Sequence, residues 1–134
     1  MLRFKTKLQF SVLLCGSLLL SGCSDSGTSG AKAPEMPRFP DQRLAMGRGV
    51  WMGTCRNCHL LGVSGAPAVT NYENWQPRIE KGKPALYHSA LNGIKGEDGK
   101  FRMPPHGGNT RLSDEQVRQA VDYMVASVEK LAGK

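Results

Sequence analysis

The clearest apolar pattern lies near the end of the chain. Val117, Val121, Met124, Val128 and Leu131 follow one another at steps of four, three, four and three, which makes one stripe on an α-helix. Ser113 and Gln116 stand before it at the spacing of a capping box, so the helix is expected to begin there. An earlier helix is expected from Asp41, a cap, through Leu44, Gly47, Trp51 and Thr54 on one face, ending near Cys55. A short helix holds Trp75, Arg78 and Ile79 and stops at Gly82. Another opens at Pro84, carries Leu86, Tyr87, Ala90 and Leu91, and closes at Gly93. Gly62 to Pro67 is expected as loop and Glu97 to Pro105 as irregular chain, broken by Gly99, Pro104 and Pro105. No run of alternating β-branched residues predicts a strand, so the fold class is all-α, with about four or five short helices.

A different apolar run sits at the start. Arg3, Lys5 and Lys7 precede Leu8 to Leu20, a stretch of 13 residues, well under the roughly 20 that a membrane-spanning helix needs. This is the layout of an export signal. Its end, Leu20-Ser21-Gly22-Cys23, resembles the lipobox of bacterial lipoprotein signals, in which cleavage precedes the cysteine and the cysteine takes acyl chains. The alternative is an ordinary small-residue cleavage site beside a chance cysteine. The resemblance divides the chain into a signal peptide at 1–22, a lipidated N-terminus and tether at 23–40, and a folded domain at 41–134. The tether is expected because 24–30 offers nothing apolar to bury and Pro34, Pro37 and Pro40 stiffen the remainder of the segment.

Export gives the cysteines a meaning. Of four, Cys15 leaves with the signal and Cys23 is the expected anchor, so Cys55 and Cys58 remain in an oxidising compartment. They stand in Cys55-Arg56-Asn57-Cys58-His59, the C-x-x-C-H pattern of covalent haem attachment. Two sulfurs three residues apart at a helix end reach both vinyl groups of one porphyrin, and His59 is left as an axial iron ligand. A thioredoxin-like dithiol would require a βαβ pattern that is missing. Structural zinc would require a second pair of ligands, for which His88 and His106 are a poor complement. A domain this small makes a thin core, and a buried haem would supply apolar surface.

The opposite axial position has several candidates: Met36, Met46, Met52, Met103, Met124, His88 and His106. A thioether there raises the reduction potential and suits a carrier. Met36 falls in the tether, Met46 and Met52 on the helix that presents the cysteines, and Met124 in an apolar stripe. Met103 stands outside any periodic element, with Pro104 and Pro105 after it to hold the chain extended. It is the favoured ligand, with a methionine in a surface turn as the alternative.

From Leu44 to Met124 the chain resembles a class I cytochrome c, of the small bacterial c-five type. The likeness rests on the haem motif, Gly65-Ala66-Pro67, Trp75 with Arg78, Leu86 to Gly93, Met103-Pro104-Pro105-His106-Gly107-Gly108-Asn109, and Leu112 to Glu115 with Ala120 to Met124. It implies haem c held by Cys55 and Cys58, with His59 and Met103 on the iron. It also implies that the Pro67 carbonyl receives the His59 Nδ1 proton, that Trp75 and Arg78 reach a propionate, and that Gly47 and Tyr123 meet where the first and last helices cross. A loop proline, a core tryptophan beside a solvated arginine, and ordinary packing are the respective alternatives. The further disulfide common in this type has no cysteines left to form it.

The implied function is single-electron transfer between membrane-associated redox partners, respiratory complexes or periplasmic reductases, from a lipid-anchored position facing the periplasm of a bacterial envelope. A carrier of this kind is not an enzyme and takes no small-molecule substrate at the iron. A haem enzyme or gas sensor is the alternative if the sixth ligand is labile. A structural lipoprotein without haem and a subunit serving one fixed enzyme are two further classes. The net charge of +7 changes little: without Arg3, Lys5 and Lys7 the chain has 15 bases against 11 acids, an excess of four. Nothing in that distribution suggests nucleic acid. Arg56, Lys95, Lys100 and Arg102 are candidates for a basic docking rim, interrupted by Glu97 and Asp98.

Overall fold

In the computed structural model, residues 33–134 are described. The long helix α5, Asp114–Leu131, is the spine. Its capping box is formed in full: the Ser113 hydroxyl accepts from the Gln116 amide, and the Gln116 side chain accepts from the Ser113 amide. Asp114 and Glu115 add negative charge where the helix dipole favours it. Of the predicted stripe, Val117, Val121, Met124 and Val128 are buried, while Leu131 is exposed where the helix frays.

Helix α1, Gln42–Val50, is capped by the Asp41 carboxylate and crosses α5 at Gly47. A Cβ at that glycine would lie 2.0 Å from the Gln119 carbonyl oxygen, so only a residue without a side chain allows the two backbones to approach this closely. Trp51 and Tyr123, both fully buried, pack against each other beside the crossing at 5.7 Å. The other helices are α2, Arg56–His59, α3, Tyr72–Ile79, and α4, Lys83–Asn92. Helix α4 starts with Pro84 in its first turn and ends at Gly93, whose φ of 76° a larger residue would resist.

A buried carboxylate ties three of these helices together. Asp122 on α5 accepts from the Tyr87 hydroxyl at 2.6 Å and from Arg43 Nε at 2.7 Å, and Lys83 Nζ lies 3.0 Å away. Arg43 also pairs with Glu115. Burial alone would raise the Asp122 carboxyl, but the hydrogen bonds from Tyr87, Arg43 and Lys83 outweigh it and hold the group below its ordinary range.

Two expectations need correction. Residues up to 40 do not all belong to a tether: Met36 is buried in the core, the Pro37 carbonyl accepts from the Tyr123 hydroxyl at 2.9 Å, and Phe39 meets the Tyr123 ring edge-on. The folded unit therefore includes this segment and does not begin at 41, because Met36 and Phe39 cover apolar surface left open by α1 and α5. The stretch expected to be irregular, Glu97 to Pro105, holds a strand, β2, Phe101–Met103, which pairs antiparallel with β1, Ile94–Lys95, just before it, in a small ribbon. Its turn is built by Gly99 at φ 73° and by Asp98, which accepts from the Lys100 amide. The signal segment 1–22, Cys23 and the first part of the tether lie outside the described residues. Among the described residues no helix is long and apolar enough to cross a membrane.

Candidate haem site

The approach to the C-x-x-C-H motif is not a plain α-helix. Trp51–Cys55 forms one wide π-helical turn, closed by a bond from the Arg56 amide to the Trp51 carbonyl. The extra residue in the turn changes the rotational phase of the next residues. Trp51 consequently faces α5, while Cys55, Cys58 and His59 line a cavity of about 410 Å³. Beyond the end of α2, Gly62 takes a left-handed φ of 78° and turns the chain back. The returning loop then grips the histidine twice. The Val69 amide donates to the His59 carbonyl at 2.8 Å, and the Pro67 carbonyl lies 3.1 Å from His59 Nδ1. A carbonyl can only accept, so Nδ1 carries the proton and Nε2 is left with its lone pair for a metal. Burial lowers the pKa of this imidazole, which favours the neutral, ligating form; the Pro67 carbonyl works against that and the Arg78 charge with it.

Two apolar clusters meet at the cavity. One contains Trp51, Leu60, Trp75 and Met124, with Cys55 packed against it and His59 5.8 Å from the Trp75 ring. The other contains Ala90, Val117 and Val121, with Met103, Leu86 and Leu112 packed against it. His59, beside Trp75 of the first cluster, and Met103, packed against the second, line the same cavity. Met103 ends β2, and the run after it is anchored residue by residue. Pro104 is extended, whereas Pro105 enters a 3-10 turn through Gly108. A Cβ at Gly107, which has φ 62°, would lie 2.9 Å from the Thr54 methyl, and the Asn109 side-chain Nδ2 donates to the Thr54 hydroxyl at 3.4 Å. The methionine is held by a loop pinned to the π-helical turn that leads into the motif.

The rival ligands fare differently. His106 lines the cavity, but its Nδ1 faces the Leu112 carbonyl at 3.0 Å and its Nε2 faces Asp114 at 3.6 Å, so both nitrogens are directed to protein. Met124 lines the cavity and belongs to the cluster that contains Trp75 and Trp51, the core position its stripe predicts. Met36 and Met52 line a separate cleft, Met46 is exposed, and His88 is engaged with Asn92 on the exposed side of α4.

Trp75 and Arg78 are both brought to the cavity wall. The tryptophan's one donor, Nε1, is already given to the Ala68 carbonyl at 2.9 Å, so Trp75 packs on His59 and is not free to donate to a propionate. Arg78 is exposed at the wall, with one nitrogen bonded to the Asn74 carbonyl and the remaining donors open. The expected basic rim is not assembled as a group. Arg102 lines the cavity but is paired with Asp98 at 3.6 Å, Lys95 lies over the Phe101 ring, and Arg56 opens on the other cleft.

The residues present fit a haem. The cavity falls within the size range of cofactor sites, its wall is mainly aliphatic, two cysteines stand on it, and a pre-oriented imidazole offers one nitrogen. Burial pushes the Cys55 thiol up to about 11. Among the described residues no three His, Cys, Asp or Glu side chains gather as a metal cluster. Much of the wall is made by residues that appear from sequence as ordinary core: Leu86, Ala90, Ile94, Leu112, Val117 and Val121. The only sequence signal for them was that a domain this thin has too little other protein for its α4 and α5 stripes to cover.

Comparison with known proteins agrees with this chemistry. Residues 42–124 match the family model described as cytochrome C oxidase, cbb3-type, subunit III. Cytochrome c-555 of Chlorobaculum tepidum is 42% identical over 81 residues, covering 60% of this chain and 73% of that protein. Cytochrome c5 of Ectopseudomonas mendocina is 32% identical over 72 residues, covering 52% and 76%. Among solved structures, the cytochrome in an electron transfer complex of nitrite reductase with cytochrome c is 32% identical with a TM-score of 0.54, covering 62% of this chain and 94% of that one. With its all-α fold, its attachment motif and a cavity shaped for a porphyrin, the chain belongs to the small class I c-type cytochromes, electron-transfer proteins with covalently bound haem c.

Proposed function

We propose that the protein is a one-electron carrier whose iron is held by His59 and Met103, and that it does no chemistry on a small molecule. The observation that carries this is that His59, packed on Trp75, and Met103, packed against Ala90, Val117 and Val121, line one cavity, while both nitrogens of His106 are turned to Leu112 and Asp114. The haem supplies a site that alternates between ferrous and ferric states. The chain's own residues hold that site still: Pro67 orients the imidazole, the Thr54 contacts anchor the Met103 loop, and the aliphatic wall excludes water. With His59 and Met103 both holding the iron, no position on it would be left for a substrate. Cys58, which is exposed, would hold the group close to the surface, where a partner could exchange an electron with it.

The partners are redox proteins in the bacterial envelope, membrane respiratory complexes or periplasmic reductases. A related cytochrome captured with nitrite reductase supports a partner of the second kind. Acylation at Cys23 would keep the protein on a membrane, facing the periplasm, since two or more acyl chains make attachment stable.

Met103→Ala tests the ligand. The potential should fall and the ferric iron should bind added imidazole; an unchanged potential with no new ligand binding refutes the proposal. Cys23→Ser tests the anchor: the protein should leave the membrane fraction, and retention through a high-salt wash refutes lipidation.

A further inference from the structure

In the run His106-Gly107-Gly108 the backbone is left-handed at all three positions, with φ of 54°, 62° and 85°. Glycine takes that conformation without steric cost, and two of the three residues are glycine. The histidine is not. Among the described residues only His106 and Ser64 are non-glycine residues at positive φ, and both line the haem cavity. A side chain kept where the backbone favours none implies a task for that side chain.

The contacts of the ring show the task. His106 Nδ1 lies 3.0 Å from the Leu112 carbonyl, which can only accept, so Nδ1 carries a proton and donates it. Leu112 stands one residue before the Ser113 cap. Its carbonyl is therefore outside the ladder of α5 bonds and takes its donor from the ring. The other nitrogen, Nε2, is 3.6 Å from Asp114 Oδ1, beyond hydrogen-bond distance, so the bond to Leu112 is the firm one. The side chain is 21% exposed, which shields that bond from water.

The bond joins two parts of the site. His106 lies in the 3-10 turn that follows Met103, while Leu112, Val117 and Val121 belong to the apolar cluster against which Met103 packs. Pro104, Pro105, Gly107 and Gly108 have no side-chain donor or acceptor, so His106 is the one residue of the turn that can fasten it in this way. Asn109, beyond the turn, fastens the loop to Thr54 instead.

We propose that His106 is a positioning residue: its ring latches the turn after Met103 to the start of α5 and so slows departure of the Met103 thioether from the iron. The inference rests on Met103 as the axial ligand.

The experiment is imidazole binding to ferric holoprotein at constant pH, read as the rate at saturating imidazole, where loss of the thioether sets the pace. His106→Ala and His106→Gly should each raise that rate by about tenfold. His106→Asn should keep it near the wild-type value, because asparagine tolerates a left-handed backbone and carries an N–H one bond beyond Cγ, where Nδ1 stands. Asp41→Ala removes the α1 cap, away from the cavity, and should lower thermal stability without changing the rate. In the wild-type protein the His106 Nδ1 proton should exchange slowly with water. Unchanged rates in His106→Ala and His106→Gly would overturn the latch. So would His106→Asn as fast as His106→Gly, an equal rise in Asp41→Ala, or a rapidly exchanging Nδ1 proton. Met103→Leu keeps the two claims apart: it should bind imidazole without the slow step, and a wild-type rate there would remove the ligand itself, and the latch with it.

Discussion

Replacing Gly47 by alanine should damage the fold, and replacing Gly49 should not. A Cβ at Gly47 would sit 2.0 Å from the Gln119 oxygen, and ordinary contact begins at 3.4 Å, so α1 and α5 must part by about 1.4 Å. The obstacle is backbone and cannot swing aside. Separation would loosen Trp51, Ala120 and Tyr123, which are 0%, 1% and 0% exposed. Overpacking of this kind costs typically about 1–3 kcal/mol, and the rigid obstacle argues for the upper end. Alanine returns up to about 1 kcal/mol of helix propensity, leaving a net loss of about 2 kcal/mol. Gly49 lies on the same helix, and a Cβ there would meet nothing within 4 Å, so Gly49→Ala should gain up to about 1 kcal/mol. Urea unfolding of the holoproteins, followed by far-ultraviolet circular dichroism, should therefore separate the two midpoints by about 1–3 M, given slopes of about 1–3 kcal/mol/M. Coincident midpoints, or Gly47→Ala the more stable, would refute the close crossing.

The Asp122 carboxyl is held below its ordinary range, so the stability it contributes is present above about pH 4 and is lost as pH falls through the lower folded value. Asp122→Asn should flatten the acid limb of the stability profile relative to wild type; parallel profiles would show that the Tyr87, Arg43 and Lys83 contacts do not matter. Ser113→Ala should cost about 1 kcal/mol in denaturant unfolding through loss of the α5 cap, and no change would mean that the cap is idle. Arg78→Gln should lower the potential, because a positive charge at the cavity wall disfavours the ferric state, and the shift should shrink in high salt. Trp75→Phe should cost about 1 kcal/mol through the lost bond to Ala68 and leave the potential nearly unchanged; a large drop in potential would restore a propionate contact.

The parts of the molecule legible in sequence are those set by local periodicity or by rigid chemistry. Helix α5 was readable because cap and stripe agree, and α4 because Pro84 and Gly93 bracket it; the helix crossing at Gly47 was implied by the resemblance to class I cytochromes c. The haem motif was readable because its chemistry is carried by adjacent residues. Other features depend on residues distant in sequence. Asp122 draws partners from Arg43, Lys83 and Tyr87, and nothing near it announces burial. Met36 was hidden among prolines, where one apolar side chain has no period to belong to, yet it completes the core. The β1–β2 ribbon was too short for alternation to show. The fate of the Trp75 indole was decided by a backbone carbonyl, which carries no sequence signature. The π-turn at Trp51–Cys55, which aims the motif, is equally silent in the residue pattern.

The axial ligation is tested most directly by proton–carbon spectroscopy of reduced holoprotein labelled at the methionine methyl groups. A methyl seated over the iron is carried far upfield by the porphyrin ring current. One such signal should appear, vanish in Met103→Leu and persist in Met124→Leu. A signal that survives Met103→Leu, or its absence from the wild-type protein, would contradict Met103 as the ligand opposite His59.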